Sequence, residues 1–296
     1  MVGKGKVVYG VGLREVLDME KLSPDCAITG SDSVLFLHRT GGAEDIYFIS
    51  NQTDHKVIVD AAFRVKGKAP EFWDPLLGKV RELPAFKQEG EVTRVPLELE
   101  RYGSYFVVFK PGAAKGADGG VVKGNFPDAK IVAEVKGPWT VRFDTAFRGP
   151  AASVMFDELV DWAMSKDTAV KYFSGKAVYK NTFRLTGNVG GRLTKTGESL
   201  YLDLGMVRDM AKVRVNGVYV GGAWTPPYVV DISAAVKKGV NVVEVEVVNT
   251  WVNRLIGDSR LPEGERKTWM NVNPFKPDSE LESSGLLGPV RVIAGP

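Results

Sequence analysis

The sequence is poor in the residues that build disulfides and metal centres. Cys26 is the only cysteine among 296 residues, so an intramolecular disulfide and a cysteine-based metal site are both excluded. The only two histidines, His38 and His55, precede different runs of β-forming residues, which argues against a histidine metal cluster. Cys26 lies next to a turn in the N-terminal stretch, and the pattern does not favour a catalytic thiol with a neighbouring base.

Long apolar runs and blocks of one charge are also missing. No run approaches the ~20 residues of a membrane span, and residues 1–6 lack the apolar segment of a signal peptide. For the chain as written, we therefore predict a cytoplasmic location without a membrane partner. The 39 basic and 36 acidic residues leave a net charge of +3, and no basic block indicates nucleic acid. Phosphate-binding and Gly-x-Ser-x-Gly motifs are absent as well.

Glycine, proline and β-forming residues are abundant. The chain has 33 glycines and 16 prolines, many of them at the ends of short runs rich in valine, phenylalanine and tyrosine. This pattern favours an all-β protein with tight turns over a helical one. With 44% hydrophobic residues the chain can bury a substantial core, and at about 150 residues per domain we expect two domains.

Four segments are predicted along the chain. Residues 1–30 resemble a remnant of an α/β subdomain, with a strand at 6–9 and a short helix over Leu13–Met19. Residues 31–112 predict a small antiparallel β-sandwich. Residues 113–124 are rich in glycine and alanine and form a linker. Residues 125–296 predict a second antiparallel sandwich, whose long connections favour a jelly roll.

Two local predictions concern turns and helices. Residues 51–54 carry residues typical of a β-hairpin turn. At 156–162, Phe156, Leu159 and Trp162 would share one face of a helix, which predicts a helical interruption of the second sandwich.

The most informative stretch runs from 240 to 258. Val243, Val245 and Val247 alternate with Glu244 and Glu246, which predicts a strand with one buried and one solvated face. Residues 250–258 then keep no period. They place a tryptophan, an asparagine, an arginine and an aspartate together, a set that can stack on a sugar ring and hydrogen-bond its hydroxyls. The alternative is a corner held by a core tryptophan and an Arg–Asp pair.

Several strings in the second segment resemble known carbohydrate-active enzymes. Residues 199–205, 211–217 and 222–228 (SLYLDLG, AKVRVNG and GAWTPPY) look like the galactose-binding-like β-sandwich of large glycoside hydrolases. A longer set resembles the C-terminal part of bacterial α-L-rhamnosidases of glycoside hydrolase family 106: KYFSGKAVY at 171–179, NTWVNRLIGD at 249–258 and SGLLGPV at 284–290.

The first segments are similar to the region that precedes this sandwich in the same family. The strings that carry the similarity are GKGKVVYG at 3–10, His38-Arg39, DIYFISN at 45–51, FWDP at 72–75 and GSYFVVF at 103–109. The first of these looks like the tail of the upstream α/β subdomain. The resemblance covers essentially the whole chain.

The resemblance implies an accessory role. Enzymes of this family are much longer, and their catalytic carboxylates lie on an upstream (β/α)8 barrel that no position here matches. We therefore expect a module that binds rhamnose- or galactose-containing glycans of plant or bacterial origin, or supports a catalytic domain. The family is usually secreted or periplasmic. A sandwich without its barrel would expose an apolar patch, which predicts a homo-oligomer or another assembly partner as a further alternative.

The resemblance also indicates where ligands would lie, because such sandwiches bind them in the loops at one end. The candidate sugar contacts are Trp224, Trp251, Asn253, Arg254, Asp258 and Trp269. For Trp224, as for Trp139, a place in the core is an equal alternative. Many of these sandwiches carry a structural Ca²⁺, for which the sequence offers oxygen donors without a specifying loop spacing: Asp144, Asp203, Asp231 and Asn249.

Hydrolysis by the chain itself is a second hypothesis. Glycoside hydrolysis generally needs two carboxyl groups at a defined separation, and the candidate pair is Asp258 with Glu263 or Glu282. The competing role for Asp258 is to fix Arg254 through a charge-assisted contact.

Overall fold

The structure, a computed structural model, describes residues 5–112, 122–186 and 199–295 together with Gly3. Residues 113–121 of the predicted linker therefore lie outside the described residues. The predicted all-β class is confirmed: the strands form antiparallel sheets arranged as β-sandwiches. The chain divides into two compact units, Met1–Pro127 and Asp128–Pro296. No helix in the described part of the chain is long and apolar enough to cross a membrane.

The first unit is a sandwich of two antiparallel sheets, with strand orders β1-β4-β8-β7 and β2-β3-β9-β5-β6. Both sheets contribute to the core between them, as Phe63 and Leu97 do from one side and Tyr47 and Phe109 from the other. The elements are α1 (Leu13–Met19), β1 (Cys26–Thr29), β2 (Val34–Gly41), β3 (Glu44–Asn51), β4 (Val57–Phe63), β5 (Lys68–Asp74), β6 (Lys79–Glu82), β7 (Lys87–Glu89), β8 (Val92–Leu99), β9 (Ser104–Pro111) and α2 (Val122–Asn125).

Two predictions for this unit are wrong. Residues 6–9 form no strand. Residues 51–54 are not a hairpin turn, because β3 and β4 belong to different sheets and the chain crosses between them. The buried side chain of Asn51 holds this crossing by donating to the carbonyl oxygens of His55 (2.8 Å) and Glu100 (2.9 Å). The helix α1 forms as predicted, but none of its residues is buried.

The second unit is a sandwich of a four-stranded sheet, β10-β21-β14-β18, and a six-stranded sheet, β12-β11-β13-β19-β16-β17. The elements are β10 (Lys130–Glu134), β11 (Trp139–Phe143), β12 (Val154–Phe156), α3 (Thr168–Lys171), β13 (Lys176–Leu185), β14 (Ser199–Asp203), β15 (Met206–Arg208), β16 (Met210–Val215), β17 (Val218–Ala223), β18 (Val229–Asp231), β19 (Gly239–Val248), α4 (Val252–Ser259), β20 (Gly285–Gly288) and β21 (Arg291–Gly295). Short 3₁₀ helices cover Thr145–Phe147, Trp162–Met164 and Glu263–Glu265. Its classification as galactose-binding-like stays a prediction.

The strand β19 confirms the period-two pattern. Its valines at 243, 245 and 247 are fully buried in the core of the second unit. On the opposite face Glu244 forms an ion pair with Lys180 (3.0 Å) and Glu246 with Lys212 (3.8 Å). These two glutamates thus lie on the solvated face of β19 and pair with lysines of the neighbouring strands β13 and β16.

The predicted helix at 156–162 is wrong. Phe156 ends strand β12, and Trp162 begins a 3₁₀ helix whose N-cap is Asp161. Both aromatic side chains enter the sandwich core, and the indole Nε1 of Trp162 donates to the hydroxyl of Tyr179 at 2.6 Å. Their spacing matches a helical period, but each is buried by a separate element.

The register of the six-stranded sheet brings several loops to one end. Ala177 pairs with Phe143 of β11 and with Val247 of β19. Ala211 of β16 pairs with the same Val247 and with Ala223 of β17. The ends of β11, β17 and β19 therefore lie beside the beginnings of β13 and β16. The longest connection at this end is 249–284, which contains α4.

Candidate functional site

Residues 252–259 are a helix, α4, rather than the aperiodic loop predicted from the sequence. Five residues of the helix are buried, and three of them are polar: Asn253, Arg254 and Asp258. A hydrophobic period could not reveal this helix, because much of its buried face consists of polar and charged side chains. Burial of such groups requires specific partners.

Asn253 clamps the start of α4 to the segment before β20. Its Nδ2 donates to the carbonyl oxygen of Glu282 at 2.6 Å and to Oγ of Ser284 at 3.1 Å. Its Oδ1 accepts from the backbone N–H of Glu282 at 2.8 Å. Both ends of this buried amide are thus engaged within the protein, so we leave Asn253 out of the proposed sugar contacts.

Arg254 is buried without a direct carboxylate partner. The residue is 3% exposed, and its Nη2 donates to the carbonyl oxygen of Phe147 at 3.3 Å. Among the described residues no carboxylate oxygen lies within 4.0 Å of the guanidinium, so the predicted direct Arg254–Asp258 contact is not formed. Burial lowers the pKa of Arg254 below its ordinary value, and the nearby charge of Asp258 opposes this effect.

Asp258, near the end of α4, holds the following loop. The residue is buried, and its Oδ2 accepts from the backbone N–H of Thr268 at 2.7 Å and from the Thr268 hydroxyl. The loop has no regular secondary structure at Thr268, so the carboxylate of Asp258 supplies the hydrogen-bond acceptor that a backbone carbonyl would provide in a helix or strand.

A cleft of about 620 Å³ opens beside Asp258. We call it the Trp269 cleft, because the indole of Trp269 is 84% exposed and lines it. Its wall also includes Asp258, Glu263 and Arg148. Asn271 and Asn273 line it too. The amide of Asn273 is already engaged, because its Nδ2 donates to the carbonyl oxygen of Leu255 and its Oδ1 accepts from the N–H of Phe275. An exposed aromatic face beside amide and charged groups can stack on a pyranose ring and hydrogen-bond its hydroxyls.

A second cleft of about 350 Å³ adjoins the first. We call it the Arg254 cleft; it is lined by Arg254, Tyr172, Arg260 and Glu265, among others. Asp258 and Lys267 line both clefts, so the two spaces share a wall. The guanidinium of Arg260 lies over the Tyr172 ring, 5.7 Å from its centroid.

The other predicted site residues lie outside these clefts. Trp251, at the N-cap of α4, is half exposed and packs its ring against Phe147, with 6.1 Å between centroids. Trp224 is exposed after β17, at the same end of the sheet, and is not a core residue. Glu282 accepts from the hydroxyl of Thr250 at 2.9 Å and does not line the cleft that holds Asp258 and Glu263.

Several cleft residues were not predicted. Arg148 follows the 3₁₀ helix after β11, and Tyr172 caps α3, so both come from connections about 100 residues before α4. Lys267, Thr268 and Asn271 belong to the loop after α4, where no motif marks them. The antiparallel register alone brings these segments together.

A structural Ca²⁺ bound by the described residues stays a prediction. No group of three or more histidine, cysteine, aspartate or glutamate side chains in them could hold a metal ion. The predicted donors have other partners: Asp144 accepts from Ala146 N (2.9 Å) and Asp203 from Gly205 N (2.8 Å). Asp231 accepts from Ser233 N (2.9 Å) and Asn249 from Gly175 N (2.9 Å).

Cys26 has the environment of an inert thiol. It is buried in the first unit, and burial, together with the charge of Asp25, raises the pKa of the thiol to about 12. The thiolate required for nucleophilic chemistry is therefore disfavoured at neutral pH.

Comparisons with known proteins connect this fold to glycoside hydrolases. Residues 1–88 match the family model of glycoside hydrolase family 106, alpha-L-rhamnosidase. A relative from Formosa agariphila is 39% identical over 179 residues, which cover 53% of this chain and 15% of the relative. The name of that relative assigns it a beta-glucuronidase activity provisionally.

One solved structure matches nearly the whole chain. A rhamnosidase from Novosphingobium sp. PP1Y superposes with a TM-score of 0.83 at 40% identity, covering 95% of this chain and 26% of that one. An apo β-glucuronidase from Ruminococcus gnavus has a TM-score of 0.41 at 22% identity, covering 57% of this chain and 29% of that one.

The fold and the matches to the family model, the Formosa relative and the solved rhamnosidase define a β-sandwich protein related to glycoside hydrolases. The predicted family resemblance is confirmed: the chain is a relative of the alpha-L-rhamnosidases of glycoside hydrolase family 106. It spans about a quarter of the length of the solved rhamnosidase and less of the Formosa relative. The match to the family model lies in the first unit, whereas the two clefts lie in the second.

Proposed function

We propose that this chain is an accessory module of an alpha-L-rhamnosidase-like glycoside hydrolase, which binds glycans at the Trp269 cleft rather than cleaving them. The exposed indole of Trp269 is the observation that carries this proposal, because this aromatic ring, 84% exposed, lines a concave site with polar groups beside it, where a sugar ring can stack on it. The cleft volume of about 620 Å³ falls within the ~300–1,000 Å³ range of ligand pockets.

The contacts of Asp258 support binding over hydrolysis. A catalytic carboxyl group must reach the reacting oxygen or carbon of the substrate. Asp258 is buried, and one of its two oxygens accepts both the N–H and the hydroxyl of Thr268. Its position is thus explained by a structural role in the loop after α4.

Hydrolysis is the second candidate, because Asp258 and Glu263 line one cleft. Two carboxyl groups facing the same space are the minimum that glycoside cleavage generally requires. The test is a panel of aryl glycosides that includes α-L-rhamnosides and β-glucuronides. Turnover that falls by orders of magnitude in both Asp258→Asn and Glu263→Gln would establish this alternative and overturn the accessory role.

The binding proposal is tested by calorimetric titration with rhamnose, galactose and their short oligosaccharides. We expect Trp269→Ala to weaken binding about tenfold or more, because loss of an aromatic contact and its buried area is worth ~1.5 kcal/mol or more. The matched control is Trp224→Ala, which removes another exposed tryptophan that lines neither cleft.

The control should bind within about twofold of the unmodified protein, since distant exposed substitutions change energies by less than ~0.5 kcal/mol. Equal losses in both variants would place the sugar elsewhere. No heat with any saccharide at millimolar concentration would refute glycan binding and leave a supporting role alone.

A further inference from the structure

We propose that the Arg254 cleft binds the anionic substituent, a carboxylate or a sulfate ester, of a glycan whose ring stacks at the adjoining Trp269 cleft. This inference rests on the proposed glycan binding and adds the chemical class of the ligand: an acidic saccharide rather than a neutral one.

The first argument is the incomplete hydrogen bonding of Arg254. A guanidinium carries five N–H donors, and a charged side chain that is 97% removed from solvent is normally paired. Here Nη2 donates to the carbonyl oxygen of Phe147. Its Nε and Nη1 donate to no acceptor among the described residues. The residue lines the cleft, so these donors can be satisfied from the cleft side.

The second argument is the charge of the cleft wall. Three cationic side chains, from Arg254, Arg260 and Lys267, face two carboxylates, from Asp258 and Glu265. One oxygen of Asp258 already accepts hydrogen bonds from Thr268, which is not one of these cationic residues. The cleft therefore has an excess of positive charge that a bound anion would neutralise. Burial lowers the pKa of Arg254 while the guanidinium stays charged, and a bound anion would raise this pKa again.

The third argument is the chemistry of the donor. The planar guanidinium binds carboxylate and sulfate-like groups through two parallel N–H···O bonds, which neutral hydroxyls match only weakly. The Arg254 and Trp269 clefts share the wall formed by Asp258 and Lys267. A saccharide stacked on Trp269 can therefore extend an acidic substituent, or an acidic neighbouring residue, toward Arg254.

The experiment compares three disaccharides that differ only in their C6 substituents. α-1,4-Digalacturonate carries carboxylates, α-1,4-galactobiose carries hydroxymethyl groups at the same positions, and galactobiose 6-O-sulfate carries a sulfate ester. Titration at low ionic strength should show at least about tenfold tighter binding of one or both acidic ligands. The preference should shrink as salt is added, because exposed charge–charge attraction is screened.

Two variants and one control assign the preference to this cleft. Arg254→Met keeps the length of the buried side chain and removes its charge; we expect the acid preference to disappear while galactobiose binds as before. Lys267→Met, at a partly exposed position, should reduce the preference several-fold and covers the case in which Arg254→Met does not fold. The control is Arg214→Met, an exposed arginine on β16 outside both clefts.

The outcomes separate this inference from the proposed function. Equal affinities for the acidic and neutral disaccharides would overturn the inference and leave glycan binding intact. A preference that survives in Arg254→Met and Lys267→Met, or disappears in Arg214→Met, would also overturn it. No binding of any of the three ligands would overturn the inference, whereas the proposed function falls only if rhamnose, galactose and their oligosaccharides give no heat either.

Discussion

Removing the Asn253 amide should loosen the segment that carries the clefts. Asn253 is 1% exposed and makes three hydrogen bonds, two to the backbone of Glu282 and one to Ser284. At a net ~0.5–1.5 kcal/mol each, their loss in Asn253→Ala costs roughly 2–4 kcal/mol. The better helix propensity of alanine offsets about 0.5 kcal/mol of this. We expect a net destabilisation of roughly 2–3 kcal/mol.

That loss should lower the Tm of the second unit by about 5–10 °C, because 1 kcal/mol corresponds to ~2–4 °C for a domain of about 150–250 residues. Differential scanning calorimetry measures the shift, and urea unfolding gives the free energy independently. Asn271→Ala is the matched control, since Asn271 is exposed and lies in the same connection. Its effect should stay below ~0.5 kcal/mol.

An intermediate variant sharpens this test. Asn253→Asp keeps an acceptor for the N–H of Glu282 but loses the Nδ2 donor, so its Tm should fall between those of the unmodified protein and Asn253→Ala. If Asn253→Ala and the Asn271→Ala control have the same Tm, the hydrogen bonds of Asn253 do not stabilise this segment and the reasoning is refuted.

Two further predictions concern buried polar groups. Burial and the charge of Glu282 raise the pKa of Asp209, although the backbone N–H of Thr250 opposes this shift. The stability contributed by this carboxyl group is therefore present at low pH and lost as pH rises through its folded pKa. Asp209→Asn should therefore raise Tm at pH 7, by less than about 3 °C, and should leave Tm unchanged at pH 3. Thermal melts at both pH values measure this difference, and an equal change in Tm at pH 7 and pH 3 would contradict the prediction. Tyr179→Phe removes the acceptor of Trp162 Nε1 (2.6 Å) and Leu286 N (3.2 Å). Leaving these two buried donors unpaired should cost about 2–5 kcal/mol in urea unfolding, whereas a loss below ~1 kcal/mol would show that water replaces the hydroxyl.

Strand positions could be predicted because each strand carries its own pattern. Every second residue of β19 is buried, so the alternation of valine and glutamate is visible without knowledge of its neighbours. The hairpin turn between β16 and β17 is equally local: Asn216 and Gly217 have φ of 52° and 82°, as a type I′ turn requires. Residues 51–54 show the limit of this approach, because turn chemistry does not specify which sheet the next strand joins.

The sequence by itself determined the all-β class, the alternating strand β19, the family resemblance, and the stretch of tryptophan, arginine and aspartate after β19. Only the tertiary structure decided that this stretch is a helix with a polar buried face, and that Trp269 and Arg254 line adjoining clefts. The physical reason is the range of the interactions. Period and turn chemistry act between near neighbours, whereas the partners of Arg254 and Asp258 come from distant loops that the sheet register brings to one end.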